Sequence, residues 1–176
     1  FMISAASKLG VKRFFYSSSA CIYRNQNLNE LPLKEEDAYP AHPDNEYGWE
    51  KLYAERVLST FGRNTDMEVR IARFQNCYGP FGTWNGGREK APAALSRKIA
   101  EVPNNGSIDV WGDGTAQRNF IYVDDLVDAI FILTQSDEDR PTNIGTDELV
   151  DVNELVALLS RISGKVVKTN HIEGPV

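Results

Sequence analysis

Apolar residues fall in short blocks along the chain, separated by polar stretches that hold most of the glycines and prolines. The block around Phe14-Phe15-Tyr16 ends at Ser17 and reads as a buried strand over 12–17. A helix from Met2 to Lys8, stopped at Gly10, precedes it. Arg24 to Asn45 is polar, carries three prolines and reads as loop. A helix follows over 46–61, with Asn45 as its N-cap and Gly62 as its stop. Glu68 to Phe74 reads as strand and the glycine-rich stretch Gly79 to Gly87 as loop. Pro92 lies early in a helix that runs to about Ala100, where a proline is tolerated. Ile108 to Trp111 is a strand closed by the turn Gly112-Asp113-Gly114, and Arg118 to Val123 is extended. Asp124 is predicted to cap a helix through Thr134, and Thr142 to Ile144 is a strand. Asp151 and Glu154 form a capping-box start for a helix to Ile162, and Val166 to His171 is the last strand. Helices and strands alternate, and the strands show no polar alternation. The pattern therefore predicts an α/β fold with a mostly parallel sheet buried on both faces.

The formal charge of -6 over 176 residues argues against non-specific binding to nucleic acid, because an acidic surface repels a polyanion. No apolar run is long enough to span a bilayer, and Phe1-Met2-Ile3-Ser4 does not read as the start of a signal peptide. Cys21 and Cys77 are too few and too far apart for a disulfide scaffold, so a reducing cytoplasm is the expected compartment. No Cys-x-x-Cys or His/Cys cluster suggests a metal site.

Candidate chemistry begins with Tyr47-Gly48-Trp49-Glu50-Lys51. Tyr47 and Lys51 lie four apart on a predicted helix and share a face. A free tyrosine, with a pKa of about 10, is a poor base at neutral pH. A neighbouring cation stabilises its phenolate, which can then take a proton from a sugar hydroxyl as hydride leaves the same carbon. By itself such a pair is usually an ordinary helix surface. Ser17-Ser18-Ser19-Ala20-Cys21-Ile22-Tyr23 follows the first buried strand. In open parallel sheets ligands bind at the carboxyl ends of strands. By itself this segment is equally a serine-rich turn with a small core cysteine.

Together the two segments resemble the extended short-chain dehydrogenase/reductase family of NAD-dependent epimerases and dehydratases. Arg73-Phe74-Gln75-Asn76-Cys77-Tyr78-Gly79-Pro80 and Arg118-Asn119-Phe120-Ile121-Tyr122-Val123-Asp124-Asp125 continue the likeness. The resemblance implies a Rossmann-like sheet with a small α+β substrate-binding lobe, NAD as cofactor, and Ser19, Tyr47 and Lys51 as catalytic triad. It implies that 1–78 is the later part of the dinucleotide-binding domain. Residues 79–176 are then mainly substrate lobe, with 120–145 returning to the Rossmann part. The family's first βαβ unit, with its glycine fingerprint, has no counterpart in the chain. The expectation is that it lies upstream of Phe1, that this chain alone grips NAD poorly, and that the complete enzyme is a homodimer.

Residues near Ser19 separate the family's members. Dehydratases carry Asp-Glu where Ala20-Cys21 stands, and simple 4-epimerases carry a small unreactive residue at the place of Cys21. Oxidising a hexose at C4 acidifies the C–H bonds at C3 and C5, and inverting those carbons needs a base and an acid on opposite faces. Cysteine, with a free pKa of about 8.5, is tunable for that work. The loop Tyr78 to Ala94 contains Gly86-Gly87-Arg88-Glu89-Lys90-Ala91-Pro92. Its resemblance to nucleotide-sugar 3,5-epimerases implies Lys90 as acid partner of Cys21. It also implies that Asn76, Glu89, Lys98, Ala116, Gln117 and Arg118 contact a GDP-sugar. Lys90 is otherwise a solvated loop lysine. Two alternatives stay open, an epimerase-reductase of a GDP-4-keto-6-deoxysugar and a non-catalytic protein that kept the fold. The first would carry histidine where Phe81 stands, and the second has no use for Ser19, Cys21, Tyr47, Lys51 and Lys90 together.

Overall fold

A computed structural model describes residues 2–26, 30 and 32–174. In chain order its elements are α1 (Met2–Lys8), β1 (Arg13–Ser19), α2 (Glu46–Arg63), β2 (Glu68–Phe74), β3 (Asn76–Tyr78), α3 (Ala91–Glu101), β4 (Ser107–Trp111), β5 (Gln117–Tyr122), α4 (Val123–Gln135), β6 (Thr142–Ile144), β7 (Leu149–Asp151), α5 (Val152–Ser163) and β8 (Lys168–Ile172). Short 3-10 turns occupy Ala20–Ile22 and Glu35–Ala38, the second inside the predicted loop 24–45. Positions 27–29 and 31 of that loop lie outside the described residues. The chain divides into two compact units, Phe1–Gln75 with Asp124–Gly145, and Asn76–Val123 with Thr146–Val176.

The first unit is built on the parallel sheet β1-β2-β6. Along β2, Val69 to Arg73 is buried without interruption, as a parallel strand covered on both faces requires. Ile3 of α1 and Leu58 of α2 pack with Met67, Val69 and Ile71. Ile22, Tyr23, Ala38 and Leu52 form a second cluster that seats the Ala20–Ile22 turn on α2. Asn45 caps α2 as predicted, its Oδ1 accepting the Gly48 N–H at 2.9 Å. The helix does not stop at Gly62 but runs to Arg63, with Asn64 as C-cap. Gly62 serves close packing instead, since a Cβ there would sit 3.2 Å from Val69 Cγ2.

In the second unit β5 pairs parallel with β3 and antiparallel with β7, while β4 and β8 form a parallel ribbon. The expectation of strands buried on both faces fails for that ribbon. Ile108 and Val110 of β4 are buried with Leu95 and Ile99 of α3 and Leu155 and Val156 of α5, but Ser107, Asp109 and Trp111 are exposed, and so is β8 throughout. The helices cover one face of β4 only, so its pattern alternates. The capping box of α5 forms as predicted, with Asp151 Oδ1 accepting the Glu154 N–H at 2.7 Å and Glu154 Oε2 accepting the Asp151 N–H at 3.0 Å. Lys165 Nζ donates to the carbonyls of Ile99, Ala100 and Val102 at 2.7–2.8 Å, closing the C-terminus of α3 where a cation is favoured.

Asp124 does not cap α4. The helix begins at Val123, which places Asp124 and Asp125 in its first turn, where they still meet the positive end of the dipole.

Candidate active site

In the first unit, the predicted catalytic residues cluster at the carboxyl end of β1. Ser19 ends the strand and its Oγ accepts the Cys21 N–H at 3.2 Å, capping the turn Ala20–Ile22. A hydroxyl engaged as acceptor keeps its proton free to donate to a ligand oxygen. The turn leaves Cys21 exposed and its thiol unbridged. On α2, Lys51 Nζ donates to the Ser17 carbonyl at 2.8 Å. The same ammonium lies 5.0 Å from the centroid of the Tyr16 ring and 5.6 Å from that of Tyr47. An ammonium carries three donors, so two remain after Ser17 is served. The two rings differ in setting. Burial first, and then the charges of Glu55 and Glu50, push the Tyr16 pKa above its ordinary value, so Tyr16 stays protonated. Tyr47 has about half of its surface open to solvent.

Sequence reasoning missed Gly48, which sets how closely α2 approaches the turn. A Cβ at this position would lie 2.1 Å from the Cys21 carbonyl oxygen and 2.9 Å from Pro43 Cβ. The first of these is a backbone atom and has no side-chain freedom with which to yield. Gly48→Ala is expected to push the Cys21 turn off α2 at a cost of about 1–3 kcal/mol, the usual range for overpacking. Denaturant unfolding of the complete protein measures this, and unchanged stability would show that the turn has room to move.

In the second unit, Lys90 is the extended, exposed residue before α3, followed by Pro92 in the helix's first turn. It lines a cleft of about 730 Å³ together with Tyr78, Trp84, Arg88, Arg97 and Glu101, among others. Glu89 turns to its own loop. Its carboxylate accepts the Gly87 N–H at 2.7 Å and pairs with Arg97 at 3.4 Å, and bonds to backbone N–H groups hold its pKa below the usual carboxylate range. Lys98 donates to the Asp109 carbonyl at 2.7 Å, and Asn76 Nδ2 donates to the Asn119 carbonyl at 3.3 Å. Ala116 is exposed just before β5, and Gln117 and Arg118 open the strand, with Arg118 donating to the Gln117 carbonyl at 2.7 Å. Arg88 and Arg97 bring two guanidiniums to the cleft that sequence reasoning did not single out. Their signal was available, since planar donors suit phosphate oxygens. Among the described residues no group of three His, Cys, Asp or Glu side chains is placed to hold a metal ion, and no helix is long and apolar enough to cross a membrane.

A parallel α/β unit with a Tyr-x-x-x-Lys helix against the end of its first strand has the Rossmann-like architecture of dinucleotide-dependent enzymes. Residues 2–145 match the NAD dependent epimerase/dehydratase family, and the chain belongs to that family. It is 45% identical to the GDP-mannose 3,5-epimerase of Arabidopsis thaliana, covering 99% of this chain and 46% of that protein. It is 28% identical to the GDP-L-fucose synthase of Sinorhizobium fredii, over 93% of this chain and 53% of that one. Among solved structures, UDP-glucose 4-epimerase of Thermotoga maritima with UDP-glucose superposes with a TM-score of 0.87 at 27% identity, covering 99% of this chain and 54% of that one. The chain spans about half the length of the relatives it matches.

Proposed function

We propose that the complete protein is a GDP-mannose 3,5-epimerase, converting GDP-D-mannose to GDP-L-galactose through a transient 4-keto sugar. The observation that carries the reading is the exposed thiol of Cys21, on a turn seated against the helix of Tyr47 and Lys51, in a chain 45% identical to such an enzyme. The unit holding β1 and α2 is assigned to the dinucleotide and the redox step, and the unit holding Lys90 to the nucleotide sugar.

The strand end suits one half of NAD. Lys51 retains two free ammonium donors at the carboxyl end of a parallel strand, fit for the hydroxyls of the nicotinamide ribose. When bound, NAD supplies the acceptor for the C4 hydride and its donor on return. Tyr47 takes the C4 hydroxyl proton and later restores it, with Lys51 stabilising the phenolate. Ser19 donates a hydrogen bond to the sugar's C4 oxygen and keeps its proton. Cys21 removes a proton beside the ketone, and Lys90 delivers one to the opposite face, so that the carbon inverts. Asn76, Glu89, Lys98 and the segment Ala116 to Arg118 are assigned to the GDP-sugar, with the guanidinium of Arg118 toward phosphate.

Incubating the complete protein with GDP-mannose in deuterium oxide tests this reading. The expected product is GDP-L-galactose carrying deuterium at C5 and C3. Inversion at C4 alone, with no exchange at carbon, would make the protein a 4-epimerase.

A further inference from the structure

Tyr47, Lys51 and Glu55 are spaced by four along α2 and share one face of the helix. The third is a buried carboxylate, 3% exposed, that the epimerase chemistry does not use. Its oxygens are fully committed. Oε1 accepts the hydroxyl of Ser18 and the Arg73 Nε at 3.1 Å, while Oε2 accepts an Arg73 terminal nitrogen at 2.7 Å. Arg73 reaches onward from β2 to the Tyr23 hydroxyl at 2.8 Å and the Glu35 carbonyl at 2.9 Å, and Tyr23 donates to Asn143 Oδ1 at 2.6 Å. Burial works against the charge of Arg73, but the bonds and charge of Glu55 outweigh it and hold the guanidinium's pKa above its ordinary value.

The connections are geometrically pointed. Ser18 and Ser17 are neighbours on β1, and they hold α2 at two places one turn apart, Ser18 through Glu55 and Ser17 through Lys51. Tyr23 is the residue that closes the turn carrying Cys21. One buried network thus grips the helix of Tyr47 and Lys51, the strand end of Ser17 and Ser19, and the turn of Cys21. Apolar packing tolerates small slides between elements. Directional bonds to a buried charge do not, because a slip leaves that charge unpaired.

We propose that Glu55, Arg73 and Ser18 are positioning residues that lock the register of α2 on β1 and on the Cys21 turn, and so hold Lys51 beside Tyr47. The proposal rests on the assignment of Tyr47 as proton acceptor and Lys51 as its partner. Among the described residues, Tyr16 on β1 lies against the Lys51 ammonium, Glu50 and Glu55 on α2 act on Tyr16, and Arg73 on β2 pairs with Glu55.

The test compares the complete protein with Glu55→Met/Arg73→Met and with Ser18→Ala. The double variant removes one negative and one positive charge, so the net charge of the protein is unchanged. Apolar side chains remove the desolvation cost of two buried charges but leave the Ser18 hydroxyl and the Glu35 carbonyl without these partners, so its melting temperature is expected to fall modestly. Its kcat is expected to fall about a hundredfold, the cost of a misplacement near 1 Å, with KM for the nucleotide sugar unchanged. The acid limb of its kcat profile moves to higher pH, because a displaced Lys51 no longer favours the phenolate. The nitrogen NMR signal of the Lys51 ammonium, distinct while bonded to Ser17, merges with those of mobile lysines. Ser18→Ala keeps both charges and moves the pH limb and the lysine signal in the same directions by less. If the double variant does not fold, Ser18→Ala decides on those two readouts. An unmoved pH limb with an unmoved Lys51 signal overturns the proposal, whatever happens to stability. Tyr47→Phe is measured alongside. If that variant keeps full activity, the assignment of Tyr47 has failed rather than the positioning role, and the lysine signal alone decides the latter.

Discussion

Tyr47→Phe in the complete protein is expected to abolish hydride transfer while GDP-sugar binding stays nearly intact. The phenol is assigned proton work and contributes little apolar area, since about half of its surface faces solvent. A general acid or base contributes about a hundredfold to ten-thousandfold in rate, so the loss is far outside error. No nearby ring replaces it. Tyr16 lies as close to the Lys51 ammonium, but burial and the charges of Glu55 and Glu50 hold its proton. Lys51→Ala should be as inactive, because the phenolate then loses its cation and the Ser17 carbonyl its donor. Absorbance of NADH formed transiently on GDP-mannose reports the step. Normal NADH formation in Tyr47→Phe would remove Tyr47 from the mechanism.

The fold was legible where a pattern is local. The cap at Asn45, the buried run of β2 and the reciprocal box of Asp151 and Glu154 each depend on residues within a few positions of one another. The errors share a different cause. Gly62 looks like a helix stop in sequence, yet it is inside α2 because β2 approaches there. The exposed face of β4 depends on which side α3 and α5 cover, and that is a tertiary fact. The three-residue strands β3 and β7 are too short to carry a period of their own. The candidate site divides in the same way. Ser19, Tyr47 and Lys51 are singled out by the family resemblance of the segments that carry them. Gly48 and Glu55 are not, because a glycine in a helix and a glutamate four residues beyond a lysine are ordinary surface features until the partners across the fold are known. Those partners are the Cys21 carbonyl for one and Ser18 with Arg73 for the other.

Cys21→Ala and Lys90→Ala are expected to separate two steps that damage to the redox residues would abolish together. Both side chains are assigned to proton movement at C5 and C3, and neither is needed to oxidise C4. Each variant should therefore still reduce NAD on GDP-mannose, yet recovered sugar should carry little deuterium at C5 or C3 after incubation in heavy water. Local structure favours a clean result. Cys21 is exposed on a turn held by the Ser19 cap and by backbone contact with α2, so trimming its thiol leaves the turn's supports in place. Lys90 precedes α3 without a side-chain capping bond, so its loss leaves the helix start intact. Cys21→Ser should be nearly as poor as Cys21→Ala, because a serine hydroxyl is much less acidic than a thiol. The deficit in exchange should reach about a hundredfold or more, as for other lost acids and bases. Mass spectrometry of the recovered sugar measures it. Wild-type deuterium in both alanine variants would show that the protons at C3 and C5 move through other groups, and the thiol at the strand end would lose its claim to the chemistry.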